Sequence, residues 1–295
     1  RYPLVTGVQT CALPISATLS LSTTANDGAA WSPVFNAANA AATDLAQVNA
    51  YVMANKTRDM VLAAAPSYPT VATQTNSFQV NCNLASTCNA YYSANTINFY
   101  AAGGGCNNTA FGTVVHHEYG HNVVEKGGSG QGAYGEGMGD VCGLLVADVA
   151  ATGVGFSNCS SGIRTAANTC QYDSVNCSSC GSEIHACGQL ISGVVWDLRN
   201  KLALSEPSTY LTTLRRLAIN SIPLHGPIST IASDIAIDYL TLDDNNGNIY
   251  DGTPRYAQIQ YAFTVHGISV PAVQPFTLST PSGVPTFVQP NGTDR

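Results

Sequence analysis

The run His116-His-Glu-Tyr-Gly-His121 constrains this chain more than any other stretch of its sequence. Residues four apart on an α-helix share a face, so His117 and His121 can bring both imidazoles to one ion. Glu118 then stands one step round, beside an open coordination position. The pattern suits zinc with an activated water. It requires a helix, which the apolar spacing places over 113–126, closed by Gly127-Gly128. A zinc that does chemistry takes three protein ligands, so one more must come from another element. Glu125 lies eight residues past His117, about 12 Å along the same axis, too far to share the ion. Glu136 is better placed, because it follows the Gly-rich stretch 127–135 and opens a new helix over 137–151. Asp140 stands one turn later, where it can accept a hydrogen bond from the outer nitrogen of a ligand histidine. His116 points off the ligand face and reads as a packing residue.

The rest of the composition narrows the setting. With 295 residues the chain can bury a sizeable core in about two units, and 45% apolar against 10% charged residues excludes a disordered chain or a coiled coil. Lys and Arg number 11 and Asp and Glu 18, a formal charge of −7 with no basic cluster, so nucleic acid is excluded as a partner. The apolar run Val141–Ala147 falls far short of the ~20 residues that cross a bilayer, so no membrane insertion is expected. Ten cysteines, most in Asn/Ser/Thr/Gly-rich sequence, imply disulfides and secretion. Short loops beside turn residues suggest the pairs Cys82–Cys88, Cys159–Cys170 and Cys177–Cys180, with Cys142 unpaired inside an apolar helical run. Cys177-Ser-Ser-Cys180 lacks both the second CxxC of a zinc knuckle and the βαβ context of a redox pair.

Along the chain, residues 1–16 have neither an initiator Met nor a signal peptide's apolar core. Back-translated, Val5–Ser16 resembles a sequencing adaptor, so 1–16 is read as foreign. A long Ala-rich helix is expected over 35–65, ended by Pro66 and Pro69. Alternation then marks strands at 78–80, 90–92 and 97–100, and further helices follow near 185–204, 207–220, 228–241 and 254–264. The fold class is α+β, with strands early and helices late. The expected organisation is an N-terminal α+β lobe over 17–126 ending in the HExxH helix, and a helical lobe over 127–268. A Pro/Thr/Ser-rich linker over 269–295 then leads into further domains of the same chain. Asn107, Asn158 and Asn176 fit glycosylation sequons.

With Gly135-Glu-Gly-Met-Gly-Asp140 added, the HHEYGH run resembles the thermolysin-like and fungalysin-like gluzincin metalloproteases, more on the fungalysin side. The resemblance covers about residues 34–200. It implies a two-lobed α+β fold with the HExxH helix between the lobes, zinc on His117, His121 and Glu136, and Glu118 as general base. It further implies that Asn89 and Ala90, in Asn89-Ala-Tyr-Tyr, lie on an edge strand that pairs with bound peptide. Arg164, in Ile163-Arg-Thr, would hold a substrate carbonyl and help fix the glutamate ligand. His185, in Ile184-His-Ala-Cys-Gly, would donate to the oxyanion. The sequence departs from the family at Cys180, where an Asp stands five residues before that histidine; the nearest carboxylate is Glu183. Tyr119 and Tyr134 are both open as the second oxyanion donor. Most of the family's N-terminal sheet is absent.

The loop Leu242–Asp251 has oxygen ligands around a glycine, and reads either as a Ca2+ site or as a solvated turn, its Gly standing off the EF-hand position. His225, between Pro223 and Pro227, reads as a loop residue. The expected function is a secreted zinc endopeptidase acting on protein or peptide substrates. The alternative is a non-catalytic, zinc-stabilised binding or adhesion module, which would have no need of Glu118.

Overall fold

A computed structural model of the chain describes residues 42–73, 78–175 and 177–274, and the backbone of 277–279 and 285–287. Residues 1–41, with the foreign-looking start, lie outside the described residues, as do Asn176 and most of the tail. The Ala-rich segment forms α1 (Ala42–Ala64), which buries Ala46, Ala50, Ala54 and Val61 along one face and stops just before Pro66. Three strands follow: β1 (Gln79–Leu84), β2 (Ala90–Ser93) and β3 (Thr96–Tyr100), in the order β1-β3-β2. β1 runs parallel to β3 and β2 antiparallel to it, with Ala90 opposite Phe99, so among the described residues β2 is an edge strand. Ile97 and Phe99 are fully buried, and β1 packs against α1.

The elements that carry the cluster are then mainly helical. α2 (Gly112–Lys126) and α3 (Gly132–Ala147) pack together. The pairs β4 (Ala151–Thr152) with β5 (Arg164–Thr165), and β6 (Tyr172–Asp173) with β7 (Cys177–Ser178), lead into α4 (Ile184–Ser205). Helices α5 (Tyr210–His225), α6 (Ile235–Asp243) and α7 (Tyr256–Thr264) complete the core, and β8 (Thr277–Ser279) pairs with β9 (Pro285–Phe287). Two glycine contacts let the site helices approach. A Cβ on Gly120 would lie 2.8 Å from Gly139 Cα, where α2 crosses α3, and one on Gly188 would lie 2.7 Å from Gly137 N, where α3 crosses α4.

Three expectations need correction. α3 starts five residues earlier than read, because Ser229 O accepts from Tyr134 N at 3.0 Å and supports its first turn. Glu136 therefore sits in the second turn. The segment just before α6 is spent on that brace, with Ile228 O also accepting from Gly130 N, and α6 starts only at Ile235. α5 runs on through Pro223 to His225, which is buried rather than looped.

The cysteine pairing also differs. The disulfides are Cys88–Cys106, Cys170–Cys180 and Cys177–Cys187, with Cα separations of 5.3, 5.3 and 5.7 Å. Cys82 lies inside β1, its Sγ turned under α1 toward Ala46 O, so Cys88 reaches the Gly103–Gly105 loop instead. The β6–β7 hairpin separates Cys177 from Cys180 and sends the two to different partners, and Cys159 is an exposed thiol. Cys142 is a buried thiol in α3, and burial pushes its pKa up to about 12. Among the described residues no helix is long and apolar enough to cross a membrane.

Candidate metal centre

α2 carries His117, Glu118 and His121 on the buried side of one turn, and the α2–α3 crossing brings Glu136 against them. His117 Nε2 and His121 Nε2 lie 3.2 Å apart, and Glu136 Oε2 is 3.2 Å from the first and 3.6 Å from the second. These three donor atoms all fall within 4.8 Å of one another. Glu136 Oε2 is buried and accepts no hydrogen bond. Two imidazole nitrogens and one such carboxylate oxygen form a donor set that could hold a metal ion.

The outer nitrogens are held as such a site requires. His117 Nδ1 donates to Asp140 Oδ1 at 2.8 Å, and His121 Nδ1 donates to Gln131 Oε1 at 2.7 Å. With each Nδ1 so engaged, Nε2 is the nitrogen left facing the cluster, where a bound cation would take the place of its proton. Gln131 also returns its Nε2 to His121 O at 3.0 Å, so it braces the ligand from both sides. Sequence reasoning missed Gln131; the signal was a single amide in an otherwise Gly/Ser-rich loop. Arg164, on β5, donates from Nε to Asp140 Oδ2 at 2.7 Å and from Nη2 to Oδ1 at 2.9 Å.

Electrostatics favour a cation here. Burial opposes charge on His117, yet Asp140 and Glu136 outweigh it and raise its pKa to about 10. Burial would also raise Glu136 and Asp140, but His117 with His121 in one case, and Arg164 with His117 in the other, hold both below the usual carboxylate range. Glu118 goes the other way: burial raises it, against the pull of His117 and His121.

The cluster forms the floor of a cleft of about 440 Å³. Glu118 lines it, as do Asn89 and Ala90 at the start of edge strand β2, Tyr92, Arg164 and His185. His185 sits in the first turn of α4, its Nε2 3.1 Å from Glu136 Oε2 and its Nδ1 donating to Glu183 Oε1 at 2.7 Å. Glu183 is also the helix cap, accepting from His185 N and Ala186 N at 3.0 and 3.2 Å. The carboxylate against His185 Nδ1 thus comes from position 183, while Cys180 is tied to Cys170.

Other expected residues lie away from the cleft. Tyr119 and Tyr134 are buried in the core, Tyr134 stacked on His225 at 3.9 Å between ring centroids. Neither lines the cleft. Glu125 points out of the cluster, accepting from Tyr92 Oη at 2.9 Å. His116 pairs through Nδ1 with Thr57 Oγ1 at 2.8 Å, and burial lowers its pKa to about 4.

No protein-family model matches the chain, and no curated protein matches its sequence. Among solved structures, the fold is similar to that of the precursor of protealysin, a metalloproteinase from Serratia proteamaculans. The TM-score is 0.60 at 15% identity, over 79% of this chain and 81% of that one. At that identity the likeness is one of fold. The shared fold is mixed and mainly helical, with small sheets.

Proposed function

We propose that the chain is a secreted zinc endopeptidase of gluzincin type, with the cleft lying between an N-terminal and a helical lobe. One observation carries this reading: the His117–His121–Glu136 donor set opens onto a cleft that also holds a second carboxylate, Glu118, and is bordered by a strand edge. The fold likeness to a metalloproteinase precursor and the three disulfides support it. His117 Nε2, His121 Nε2 and Glu136 Oε2 would hold zinc, which when bound supplies Lewis-acid polarisation and lowers the pKa of water.

The chain's own residues do the rest. Among the described residues the outer edge of β2 is unpaired, and at its start, beside Asn89, Ala90 would offer backbone groups to an extended peptide. The Glu118 carboxylate takes the proton of the attacking water and delivers it to the leaving amine; its raised pKa suits a group that must hold that proton between steps. His185 Nε2 donates to the oxygen that becomes negative as the carbonyl is attacked. Asp140 and Gln131 keep both histidines in the tautomer and orientation that the ion needs. Arg164 fixes Asp140 and lines the cleft where a substrate carbonyl would pass.

One distance favours a second reading. His185 Nε2 lies as near to Glu136 Oε2 as His117 Nε2 does, and a fourth protein ligand would close the site into a structural zinc centre of a binding module. The test is to purify the chain with zinc, count the metal per molecule, and follow cleavage of a peptide library with and without 1,10-phenanthroline. The proposal expects one zinc and chelator-sensitive cuts at internal bonds. One zinc with no cleavage of any peptide would support the closed centre.

A further inference from the structure

The loop joining α6 to α7 reads Asp243-Asp-Asn-Asn-Gly-Asn-Ile-Tyr-Asp-Gly-Thr253. Asp243 is engaged elsewhere: its Oδ1 accepts from Arg255 Nη1 at 2.9 Å and its Oδ2 from Arg255 N at 2.5 Å. Asp244 and Asp251 have no cationic side chain against them among the described residues. In each, one oxygen is held from within the loop. Asp244 Oδ2 accepts from the backbone N–H of Asn246 at 3.3 Å and from that of Gly247. Asp251 Oδ2 accepts from Asn246 Nδ2 at 2.8 Å. Asn246 therefore touches both carboxylates and draws them together.

The other two oxygens, Asp244 Oδ1 and Asp251 Oδ1, are shielded from solvent and accept no hydrogen bond. Two residues on, Thr253 is only 8% exposed, and its hydroxyl oxygen is buried and unpartnered as well. Among the described residues seven buried side-chain nitrogen or oxygen atoms lack a partner. Three of the seven fall within residues 244–253, and another is Glu136 Oε2 in the metal-ligand cluster. Leaving buried carboxylate oxygens without a donor is costly, and a cation relieves that cost where no N–H does.

We infer that this loop is a calcium site, with Asp244 Oδ1, Asp251 Oδ1 and Thr253 Oγ1 among the ligands. The donors are oxygen only, which selects a hard cation over zinc, and two carboxylates match a divalent charge. Calcium accepts irregular shells drawn from a loop, whereas magnesium demands a near-ideal octahedron and gives up its own waters reluctantly. Gly247 and Gly252, at φ of 87° and 99°, give the loop the curl that wraps such a shell. The ion would join the end of α6 to the start of α7, and α7 packs on α4, the helix that carries His185. Its role is structural and does not depend on the zinc proposal.

The test uses the whole chain, stripped with EDTA and reloaded with one equivalent of zinc, then titrated with Ca2+ by calorimetry and by thermal melting. One calcium should bind per chain and raise Tm by about 5–10 °C at a hundredfold excess over Kd, with a smaller rise from Mg2+. The double variant Asp244→Asn/Asp251→Asn keeps the oxygens that the loop donors use but removes both charges. It should melt above the wild type without calcium and below it in millimolar calcium, at unchanged zinc content by mass spectrometry. Absence of calcium binding by the wild type, or a double variant that keeps the calcium response, would overturn the site. An equal response to Mg2+ would overturn the choice of ion. The wild-type titration decides by itself should the double variant fail to fold.

Discussion

Arg164 grips Asp140 with two parallel hydrogen bonds, and the same Asp140 Oδ1 accepts from His117 Nδ1. A guanidinium on β5 thereby sets the angle of an imidazole on α2. Arg164→Met and Asp140→Ala should each weaken zinc binding by about 10–100-fold, read by competition against a chromophoric chelator. If Arg164→Met raises KM and leaves zinc affinity untouched, its side chain acts on the peptide and not on the ligand.

Gly139 is needed for the same contact. A Cβ there would meet His117 Nδ1 at 2.7 Å, so Gly139→Ala must push the ring off Asp140 or part the helices, at a cost of about 1–3 kcal/mol. Gly143, one turn on, is the control: a Cβ would find nothing nearer than Thr113 at 3.5 Å. Gly143→Ala should stabilise by about 0.5–1 kcal/mol through helix propensity. Urea melts of the two variants check the pair, and equal effects would remove the packing argument.

His185 and Glu183 form the next pair. His185→Ala should lower kcat by roughly 10²–10³ with zinc content and KM little changed, because its donation matters when charge develops on the substrate. Glu183→Ala should lower kcat less, and should also cost about 1 kcal/mol from the lost cap of α4. Loss of zinc in His185→Ala would instead identify His185 as a ligand and favour the closed structural centre.

What was legible in the sequence, and what was not, follows from how local each relation is. His117, Glu118 and His121 could be placed because helix geometry alone brings them together, and Glu136 with Asp140 because i and i+4 share a face. Cys88 could not be matched to Cys106, since a Gly-rich loop returns to it across the sheet edge. Gln131 and Glu183 act only through the reach of their side chains after folding. Tyr119 and Tyr134 looked equally suited to the cleft and to the core, and the packing of α2 and α3 decided for the core.

Asp148 gives the pH dependence of stability. It accepts from Arg199 Nε and Nη2 at 2.8 and 2.7 Å and from Tyr210 Oη at 2.7 Å, and these bonds hold its carboxyl below the ordinary value. The folded state then binds fewer protons than the unfolded chain, whose Asp titrates near 3.9, so the stabilisation is complete above about pH 4. It is lost as pH falls through the lower folded value. Asp148→Asn should cost about 1 kcal/mol at pH 7, and the gap to wild type should close below about pH 4 in urea titrations. A gap that stays constant down to pH 3 would contradict the charge assignment.

In the proposed enzyme three side chains hold the metal while a fourth moves the proton, and Glu118→Gln separates the two roles. Zinc per chain and cleavage of an internally quenched peptide are measured on the same sample, beside Glu136→Ala. Glu118→Gln should keep one zinc and lose turnover by about 10²–10⁴, whereas Glu136→Ala should lose the zinc. Wild-type turnover in Glu118→Gln, or loss of zinc from it while Glu136→Ala keeps its metal, would refute this division of roles.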